Sequence, residues 1–425
     1  MERFWLKHYP PGVPADVEFG QYASLVELME ESYAKYAQRN AYAFMDRHFT
    51  YAEVDRHSAA LGAYLQGLGL ARGARVAIMM PNVVQYPIAL AAVLRAGYVV
   101  VNVNPLYTPR ELEHQLKDSG AEAMVILENF AVTLQQVIER TAVRHVIVAS
   151  IGDLLGFPKG AIVNFALRRV KKLVPAYALP GHVRFNDALD AGARGRLERV
   201  QLGPDDVAIL QYTGGTTGVS KGATLLHRNL VANVLQMDAW MQPALTDTSR
   251  GPLPEQLVYV CMLPLYHVFA LTVNCLGGMR VGALNILIAN PRDVGAMTKE
   301  LRKYRFNVLP GVNTLYNTLA EHPEFRMLDF SSLRISNGGG MAVQRAVAEK
   351  WIQLTGVPII EGYGLSETSP VATCNPILSR EYTGTIGLPF PNTEIEILDD
   401  AGQPVPLGQA GEIAIRGPQV MAGYW

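Results

Sequence analysis

The sequence feature that most constrains the fold is a loop of glycine and hydroxyl residues at 212–222, with the sequence YTGGTTGVSKG. Glycine adopts positive φ at no steric cost, so the backbone N–H groups of such a loop can turn towards an anion. The threonine and serine hydroxyls are further donors, and Lys221 adds a positive charge. These properties predict a phosphate-binding loop.

The segments on either side of the loop support this interpretation. The apolar run 207–210 predicts a buried strand, and residues 225–237 predict a helix. A strand–loop–helix order directs backbone donors and a helix N-terminus at phosphate. A Walker A loop would need glycine at Val219 or Ser220, so this is a phosphate loop of another kind. The alternative is a flexible turn without a ligand.

Two further glycine clusters lie downstream, EGYGLSET at 361–368 and SNGGGM at 336–341. Together with residues 213–222, they resemble the motifs of the adenylate-forming superfamily, which includes acyl-CoA synthetases, luciferases and peptide-synthetase adenylation domains. In that resemblance, residues 213–222 are the phosphate motif and residues 361–368 are the adenine and magnesium motif. Two long motifs in the right order argue against chance agreement.

Three more segments narrow the resemblance to bacterial long-chain fatty acyl-CoA synthetases, over essentially all 425 residues. They are LPLYHVFAL at 263–271, NVNPLYTPREL at 102–112 and GPQVMAGYW at 417–425. The resemblance implies an enzyme that uses ATP, Mg²⁺ and CoA to convert a fatty acid into acyl-CoA through acyl-AMP. It also implies an α/β fold, a large N-terminal domain with two helix-flanked, mostly parallel sheets and a small distorted β-barrel.

Composition excludes several other classes of protein. Hydrophobic residues make up 49% of the chain and charged residues 18%, which is typical of a globular protein. The formal net charge is −1, and no basic–aromatic stripe is present, so we expect no nucleic-acid partner. Three cysteines without metal-binding spacing favour the reducing cytoplasm. We expect no secretion signal in residues 1–14 and no membrane span, which would need ~18 apolar residues.

The order of predicted elements suggests three regions. Strands and helices alternate in residues 1–205 and again in residues 206–380, which predicts mostly parallel sheets covered on both faces. Residues 381–425 have short alternating runs, which predict the barrel-like part. In the resembled family a mobile C-terminal domain with a catalytic lysine follows, so we expect that domain to be absent from these 425 residues.

Local signals predict several helix starts. The pairs Ser24 and Glu27, Thr50 and Glu53, and Thr108 and Glu111 have the spacing of capping boxes. A further helix is predicted over 82–96, closed by a glycine.

A basic segment at 156–202 differs from its surroundings. Within it, apolar residues recur at helical spacing, namely Val163, Ala166, Leu167, Val170, Leu173 and Val174. One interpretation is a helix over 159–174 that lies on the anionic inner face of the cell membrane. The other is an ordinary surface helix with a solvated basic face.

The resemblance also assigns roles to individual residues. Thr213 and Glu367 match the residues that contact magnesium, and with Lys221 and His267 they form the predicted catalytic set. The predicted ATP- and AMP-binding residues are Thr213, Gly214, Gly215, Thr216, Thr217, Gly218, Lys221, Gly338, Gly339, Gly340, Glu361, Gly362, Tyr363, Gly364, Leu365 and Ser366. Among these, Tyr363 is expected to pack on adenine. The alternatives are a capping or surface glutamate at Glu367, a core aromatic at Tyr363 and structural turns at the glycines.

The predicted acyl-binding residues are His267, Val268, Leu271 and Gly339. The resemblance puts His267 beside the acyl carboxylate; the alternative is a core histidine in an apolar run. A general base is not needed, because a carboxyl group with a reference pKa of about 4 is already ionised near pH 7.

Two other functions fit the same sequence. One is an adenylate-forming ligase for another carboxylic acid, and the other is a non-catalytic nucleotide or acyl-lipid binding module. Against the second, Thr213, Lys221 and Glu367 are all present. The resemblance further suggests a homodimer.

Overall fold

The computed structural model describes residues 3–213 and 219–425. The predicted phosphate-binding residues Gly214, Gly215, Thr216, Thr217 and Gly218 therefore lie outside the described residues. The strands are β1 (Asn40–Phe44), β2 (Arg47–Thr50), β3 (Arg75–Met79), β4 (Val99–Asn102), β5 (Ala123–Leu127), β6 (His145–Ala149), β7 (Val183–Arg184), β8 (Val207–Thr213), β9 (Lys221–Leu226), β10 (Val258–Cys261), β11 (Leu284–Leu287), β12 (Val308–Gly311), β13 (Ile335–Gly338), β14 (Ile359–Gly364), β15 (Val371–Cys374), β16 (Leu388–Pro389), β17 (Glu394–Leu398) and β18 (Glu412–Arg416).

The helices are α1 (Leu25–Lys35), α2 (Tyr51–Gln66), α3 (Gln85–Arg95), α4 (Pro109–Ser119), α5 (Ala131–Gln135), α6 (Lys159–Phe165), α7 (Phe185–Ala193), α8 (His227–Leu245), α9 (Val268–Ala270), α10 (Gly278–Arg280), α11 (Val294–Leu301), α12 (Asn313–Glu321) and α13 (Arg345–Thr355). A π-helical stretch, Leu271–Gly277, joins α9 to α10, and another, Ala166–Val170, follows α6. None of the described helices is long and apolar enough to cross a membrane.

Threonine capping boxes begin two of the predicted helices. At the start of α2, the Thr50 hydroxyl accepts a hydrogen bond from the Glu53 backbone N–H, and the Glu53 carboxylate accepts one from the Thr50 N–H. Thr108 and Glu111 form the same reciprocal pair at the start of α4, with proline at the first helical position. Both predictions are confirmed, because each depends only on residues three apart.

Two other predicted helix starts differ in detail. Ser24 caps α1 by accepting from the Glu27 N–H, but the Glu27 carboxylate accepts from the Ala23 N–H instead, so the box is only half formed. The helix predicted from Asn82 begins at Gln85. The Asn82 side chain is used in a contact between the two sheets, described below.

Among the residues that the structure describes, seven strands form the first sheet, in the order β7-β6-β5-β3-β4-β8-β9. All neighbouring strands are parallel except β8 and β9. Val76 and Ile78 of β3 enter one hydrophobic cluster, and Ala77 and Met79 enter another. Both faces of the sheet are therefore buried, as expected of a parallel sheet.

Within the same described ranges, nine strands form the second sheet, in the order β16-β15-β14-β13-β12-β10-β11-β1-β2. Its central strands are parallel, and antiparallel strands lie at both edges. The predicted fold class, with two mostly parallel sheets, is confirmed. The sheets exchange strands along the chain, since β1 and β2 join the second sheet while β8 and β9 join the first. A division at residue 205 stays a prediction.

The segment after the phosphate loop is a strand, so the predicted strand–loop–helix order is wrong. β9 pairs antiparallel with β8, beginning at the Thr213–Lys221 pair. The helix predicted over 225–237 begins only at His227. That residue is buried, and its Nδ1 accepts a hydrogen bond from the Leu25 N–H at 3.2 Å. β8 and β9 are therefore the two strands of a β-hairpin, and α8 begins only after the second of them.

A buried asparagine joins the two sheets. The Asn82 amide follows β3 of the first sheet and donates to the carbonyls of Cys261 and Leu263, at 3.0 and 2.8 Å. Its carbonyl oxygen accepts from the Leu265 N–H at 2.8 Å. These three bonds hold the chain where it leaves β10 of the second sheet.

A second polar connection holds the next residues of the same loop. The Gln211 amide of β8 donates to the Tyr266 carbonyl at 3.1 Å. Gln211 in turn accepts from Asn102 of β4, and Asn102 accepts from the Tyr86 hydroxyl. Because its side-chain groups are buried and paired, this network fixes where the loop lies.

The last part of the chain contains a small antiparallel ladder. β17 and β18 pair from Glu394–Arg416 to Leu398–Glu412. Where the resemblance implies a small distorted barrel, the described residues form this two-stranded sheet, with one further bridge between Leu398 and Pro404.

Candidate active site

A cavity of about 680 Å³ lies at the carboxyl ends of strands from both sheets. β8 of the first sheet and β13 and β14 of the second sheet end at it. Ligands of open α/β sheets bind at this end of the strands, where loops and free backbone groups converge. The cavity brings together residues of the three glycine motifs and of the 263–271 segment.

One part of the cavity is polar. Thr213, Ser366 and Glu367 line it with hydroxyl and carboxylate groups. The Thr213 carbonyl accepts from the Ser220 hydroxyl at 2.6 Å, which closes the base of the phosphate hairpin. Lys221 pairs with Thr213 across the hairpin and is exposed. Thr213 and Glu367 therefore line one edge of the cavity, and the Lys221 Nζ lies beside it, 5.5 Å from the ring centroid of the lining residue Tyr424.

The other part of the cavity is apolar, and most of its residues were missed by sequence reasoning. Its lining residues come from one hydrophobic cluster and comprise Met237, Trp240, Met241, Val273, Cys374 and Phe390. The Trp240 and Phe390 rings lie 5.1 Å apart. The α8 residues among them are spaced i, i+3 and i+4, a pattern that also describes an ordinary core helix. The pattern alone therefore could not distinguish a ligand wall from a core.

The three consecutive glycines at 338–340 are glycine for different structural reasons. A Cβ on Gly338 would lie 2.6 Å from the Ile359 Cγ2 atom, and Gly340 has a φ of +75°, where side chains are strained. Gly339 faces the Phe269 ring, 3.1 Å from where its Cβ would be. All three line the cavity. Packing and backbone conformation already require two of them, which agrees with the structural alternative for these positions.

The adenylate motif enters the cavity through its middle residues. Gly362, Tyr363, Gly364 and Leu365 all line it. A Cβ on Gly364 would lie 1.8 Å from the Pro370 carbonyl oxygen, so no other residue fits there without a backbone shift. Gly364 is thus fixed by the turn beside it, whereas Gly362 would make only ordinary contacts with a Cβ.

Three predicted site residues that the structure describes lie outside the cavity lining, namely Lys221, Glu361 and Leu271. Glu361 is buried beneath it, where its Oε1 accepts from the Val343 N–H at 3.2 Å, and burial raises the pKa of its carboxyl group. Leu271 is fully buried in the core cluster shared by the two sheets. Its N–H donates to the His267 carbonyl, so the first helical turn carries it inward, away from the cavity.

His267 stands at the cavity rim, followed by Val268, which also lines the cavity. Its Nδ1 accepts from the Phe269 N–H at 3.3 Å, so His267 caps α9. Although the residue is exposed overall, desolvation by the surrounding protein lowers the pKa of its imidazole. A neutral ring that accepts at Nδ1 carries its proton on Nε2, which leaves one N–H donor. His267 is therefore a capping residue and not a core histidine.

A larger cleft of about 1040 Å³ lies elsewhere, against α1, α2, α7 and residues 195–202. It contains none of the motif residues. One of its lining arginines, Arg95, is already paired, since it bonds to Asp55 at 2.7 Å and lies 3.4 Å from Glu30. We therefore take the smaller cavity as the candidate active site, because the motif residues line it and the larger cleft contains none of them.

Comparison with known proteins identifies relatives over the whole chain. The family model described as AMP-binding enzyme matches residues 29–425. A long-chain-fatty-acid–CoA ligase of Escherichia coli O6:H1 is 51% identical over 428 residues, which cover 100% of this chain and 75% of the relative. The enzyme of the same name from Yersinia pestis is 52% identical with the same coverage, and that from Bacillus subtilis is 32% identical, covering 99% of this chain and 74% of the relative.

Solved structures agree with the fold. The crystal structure of a long-chain-fatty-acid–CoA ligase from Archaeoglobus fulgidus superposes with a TM-score of 0.80 at 25% identity, over 98% of this chain and 79% of that one. An anthranilate CoA ligase bound to anthranoyl-AMP has a TM-score of 0.80 at 22% identity, over 96% of this chain and 73% of that one. The second likeness is one of fold alone.

The two glycines of β14 allow a matched test of the site architecture. We expect Gly364→Ala to lower the free energy of unfolding by about 1–3 kcal/mol, because its methyl group would overlap the Pro370 carbonyl. Gly362→Ala is the control, since its nearest contact would be an ordinary 3.4 Å. Urea denaturation of both variants measures the difference. Equal stability of the two variants would contradict the described turn.

Proposed function

This chain belongs to the family of AMP-binding enzymes, and we propose that it is the ATP- and acyl-binding body of a long-chain fatty acid–CoA ligase. The reaction converts ATP, a fatty acid and CoA into acyl-CoA, AMP and pyrophosphate through acyl-AMP. Relatives named for this activity match the whole chain at about half identity, and the chain spans about three quarters of their length.

The observation that carries the proposal is the cavity with two chemically different parts. A hydroxyl- and carboxylate-lined edge at Thr213, Ser366 and Glu367 meets a wall built around Trp240 and Phe390. A fatty acid needs both environments, because its carboxylate must reach a nucleotide phosphate while its alkyl chain leaves water. A nucleotide-binding site alone would not require the apolar wall.

In the proposed first step, a fatty-acid carboxylate oxygen attacks the α-phosphorus of ATP. A bond forms between that oxygen and phosphorus, and the bond to the bridging oxygen of pyrophosphate breaks. Both reactants are anions, so fixed donors and positive charge must offset their repulsion. Lys221 stands at the edge of the phosphate hairpin, where its ammonium group can approach the β- and γ-phosphates. In the second step the CoA thiolate attacks the acyl carbon and AMP leaves.

The polar edge also fits Mg²⁺. Magnesium in nucleotide sites is bound by one or two protein oxygens, substrate phosphates and waters, and not by a full protein cage. Glu367 and Thr213 supply a carboxylate and a hydroxyl at the cavity, and the described residues contain no cluster of three or more metal-binding side chains. We therefore assign these two residues to Mg²⁺, which would neutralise phosphate charge when bound.

The proposed role of His267 is to orient the acid. Its neutral ring donates from Nε2 at the cavity rim, and a hydrogen bond to one carboxylate oxygen would leave the other free to attack. Tyr363 and the backbone at 338–340 line the same space and are assigned to the adenine. In these roles the residues position the two substrates, which speeds the reaction by holding the reacting atoms in line.

A membrane surface is the proposed further partner. The residues around α6 expose large apolar side chains, namely Phe157, Ile162, Phe165, Val170 and Leu173, of which Phe157 is 94% exposed. Arg169, Lys171 and Lys172 are exposed on the same segment. Exposed apolar groups beside basic ones are the composition that binds an anionic bilayer interface. A fatty acid partitions into such a membrane, so the surface suits the substrate.

One basic residue of this segment has another role. Arg168 donates to the carboxylate of Glu128, which is only 2% exposed, and to the Ser150 hydroxyl. This bond anchors the segment to the body of the protein, and a buried carboxylate left without it would be costly. Substitutions that probe membrane binding should therefore spare Arg168.

Two further assignments are part of the proposal. A cytoplasmic location is supported by Cys261, Cys275 and Cys374, which are all free thiols. A homodimer stays a prediction from the family resemblance.

The proposed reaction is tested by ATP–pyrophosphate exchange together with calorimetric ATP binding, on the same folded sample. We expect Mg²⁺-dependent ATP binding, and exchange that depends on palmitate or oleate more than on benzoate. Exchange that prefers benzoate would favour a ligase for another acid. ATP binding without exchange for any acid would favour the non-catalytic module. A folded sample that binds no ATP would contradict the nucleotide site itself.

We expect Glu367→Gln to lose at least about 100-fold in exchange activity at saturating substrates, in the range of single charged-group removals from transition states. The amide keeps the shape of the side chain but not its charge, so the melting temperature should stay close to that of the unaltered chain. Ser366→Ala is a neighbouring control with a smaller expected effect. Near-normal exchange by Glu367→Gln would remove the residue from the site.

Membrane binding is tested by co-sedimentation with phosphatidylglycerol-containing vesicles. We expect the combined Phe157→Ser, Phe165→Ser and Leu173→Ser variant to bind at least about tenfold more weakly, a loss of about 1.4 kcal/mol. A control with Met327→Ser and Leu407→Ser, two exposed apolar residues elsewhere, should bind normally. Equal binding by the two variants, or equal binding to phosphatidylcholine vesicles, would argue against this surface.

A further inference from the structure

Tyr424 connects the two charged groups at the polar edge of the cavity. Its hydroxyl donates to the Glu367 Oε1 at 2.5 Å, and its ring centroid lies 5.5 Å from the Lys221 Nζ. The residue lines the cavity and is half exposed. Donation to a carboxylate raises the pKa of the Tyr424 phenol, which keeps it a donor. One side chain therefore contacts both the predicted magnesium residue and the phosphate-hairpin lysine.

Backbone bonds fix Tyr424 in this position. The Thr224 N–H of β9 donates to the Gly423 carbonyl at 2.9 Å, and the Trp425 N–H donates to the Gly222 carbonyl at 2.8 Å. The Met421 N–H donates to the carbonyl of Glu367 at 2.8 Å. Residues 421–425 thus run antiparallel to β9 and join it to the turn that bears Glu367. The position of the phenol is set by paired main chain on both sides.

The arrangement solves an electrostatic problem. Lys221 and Glu367 carry opposite charges at one cavity edge, and a direct ion pair would use the charge that each needs for phosphate and cation. The Tyr424 ring offers Lys221 a cation–π contact, and its hydroxyl gives Glu367 a hydrogen bond at Oε1. The bond from Tyr424 uses Oε1 of Glu367 and leaves Oε2 outside it.

We propose that Tyr424 is a positioning residue that orients the Glu367 carboxylate for Mg²⁺–ATP and keeps it apart from Lys221. The inference rests on the proposed function, because it assumes that the cavity binds a metal–nucleotide complex. Hydrogen bonds from outer partners orient metal-binding carboxylates, and their removal typically costs about 10–100-fold in metal affinity. We expect Tyr424 to orient Glu367 through such a hydrogen bond, without contacting the reacting atoms itself.

The test is the dependence of ATP affinity on Mg²⁺ for Tyr424→Phe, which keeps the ring beside Lys221 and removes only the hydroxyl. ATP dissociation constants are measured by calorimetry in excess Mg²⁺ and in EDTA, and their ratio reports the contribution of the metal. We expect this ratio to fall about tenfold in Tyr424→Phe. The Mg²⁺ concentration for half-maximal exchange should rise by a similar factor, with the fatty-acid KM unchanged.

Two controls separate positioning from general stability. Tyr22→Phe removes a tyrosine–carboxylate bond of the same kind, to Glu31 at 2.9 Å, outside the cavity, and should leave the ratio unchanged. In a Glu367→Gln background, Tyr424→Phe should change the ratio by less than about twofold, since the two residues act as one unit.

Each outcome decides between the proposals. An unchanged ratio in Tyr424→Phe, or an equal drop with and without Glu367→Gln, would overturn the positioning role and leave the proposed function intact. An unaltered chain whose ATP affinity does not depend on Mg²⁺ would overturn the metal assignment of the proposed function, and the positioning role with it.

Discussion

The cavity depends on the polar contact that joins the two sheets. Asn82 binds three backbone groups at and just beyond the end of β10, and Gln211 binds the Tyr266 carbonyl just before His267. Each such bond contributes about 0.5–1.5 kcal/mol, but a buried group left unpaired costs about 1–3 kcal/mol. The loop therefore has one favourable path across the boundary between the sheets. That path ends at His267 and leads into α9, whose residues form part of the cavity wall. The geometry of the site therefore follows from an interaction in the core.

The strand β9 changes which groups are available to bind phosphate in the proposed function. The segment that follows residues 214–218 is the strand β9, and α8, with its N-terminal dipole, begins only at the buried His227. In the proposed function, phosphate binding therefore relies on the Thr213 hydroxyl and the Lys221 ammonium group, and not on a helix that directly follows the loop. The Thr213–Lys221 pair and the Ser220 hydroxyl hold both ends of the loop in register. Lys221 is consequently placed by a strand, which makes its position depend on the pairing of β9 with β8 and with residues 421–425.

The sequence predicts the parts of this fold that depend on near neighbours. The predicted capping boxes at Thr50 and Thr108 are correct because each depends only on two residues that are three positions apart. The predicted buried strands are correct because continuous apolar runs suit a parallel sheet. β9 was missed because its short alternation follows a glycine loop, where a helix is the commoner successor. Trp240 was missed because a ligand wall and a core share one periodicity. Tyr424 was missed because its partner Glu367 is 57 residues away.

In the proposed function, the apolar end of the cavity determines which acyl chains fit. Trp240 is anchored there, since its indole N–H donates to the Asn375 carbonyl at 3.1 Å and its ring packs on Phe390. Met237 and Met241 flank it on the same helix, and methionine side chains change shape at little cost. A rigid residue and two adaptable ones limit the cavity in different ways. Under that proposal the indole sets a fixed boundary and the thioethers can move aside, so the accepted chain lengths would depend on how the methionines repack around an anchored tryptophan.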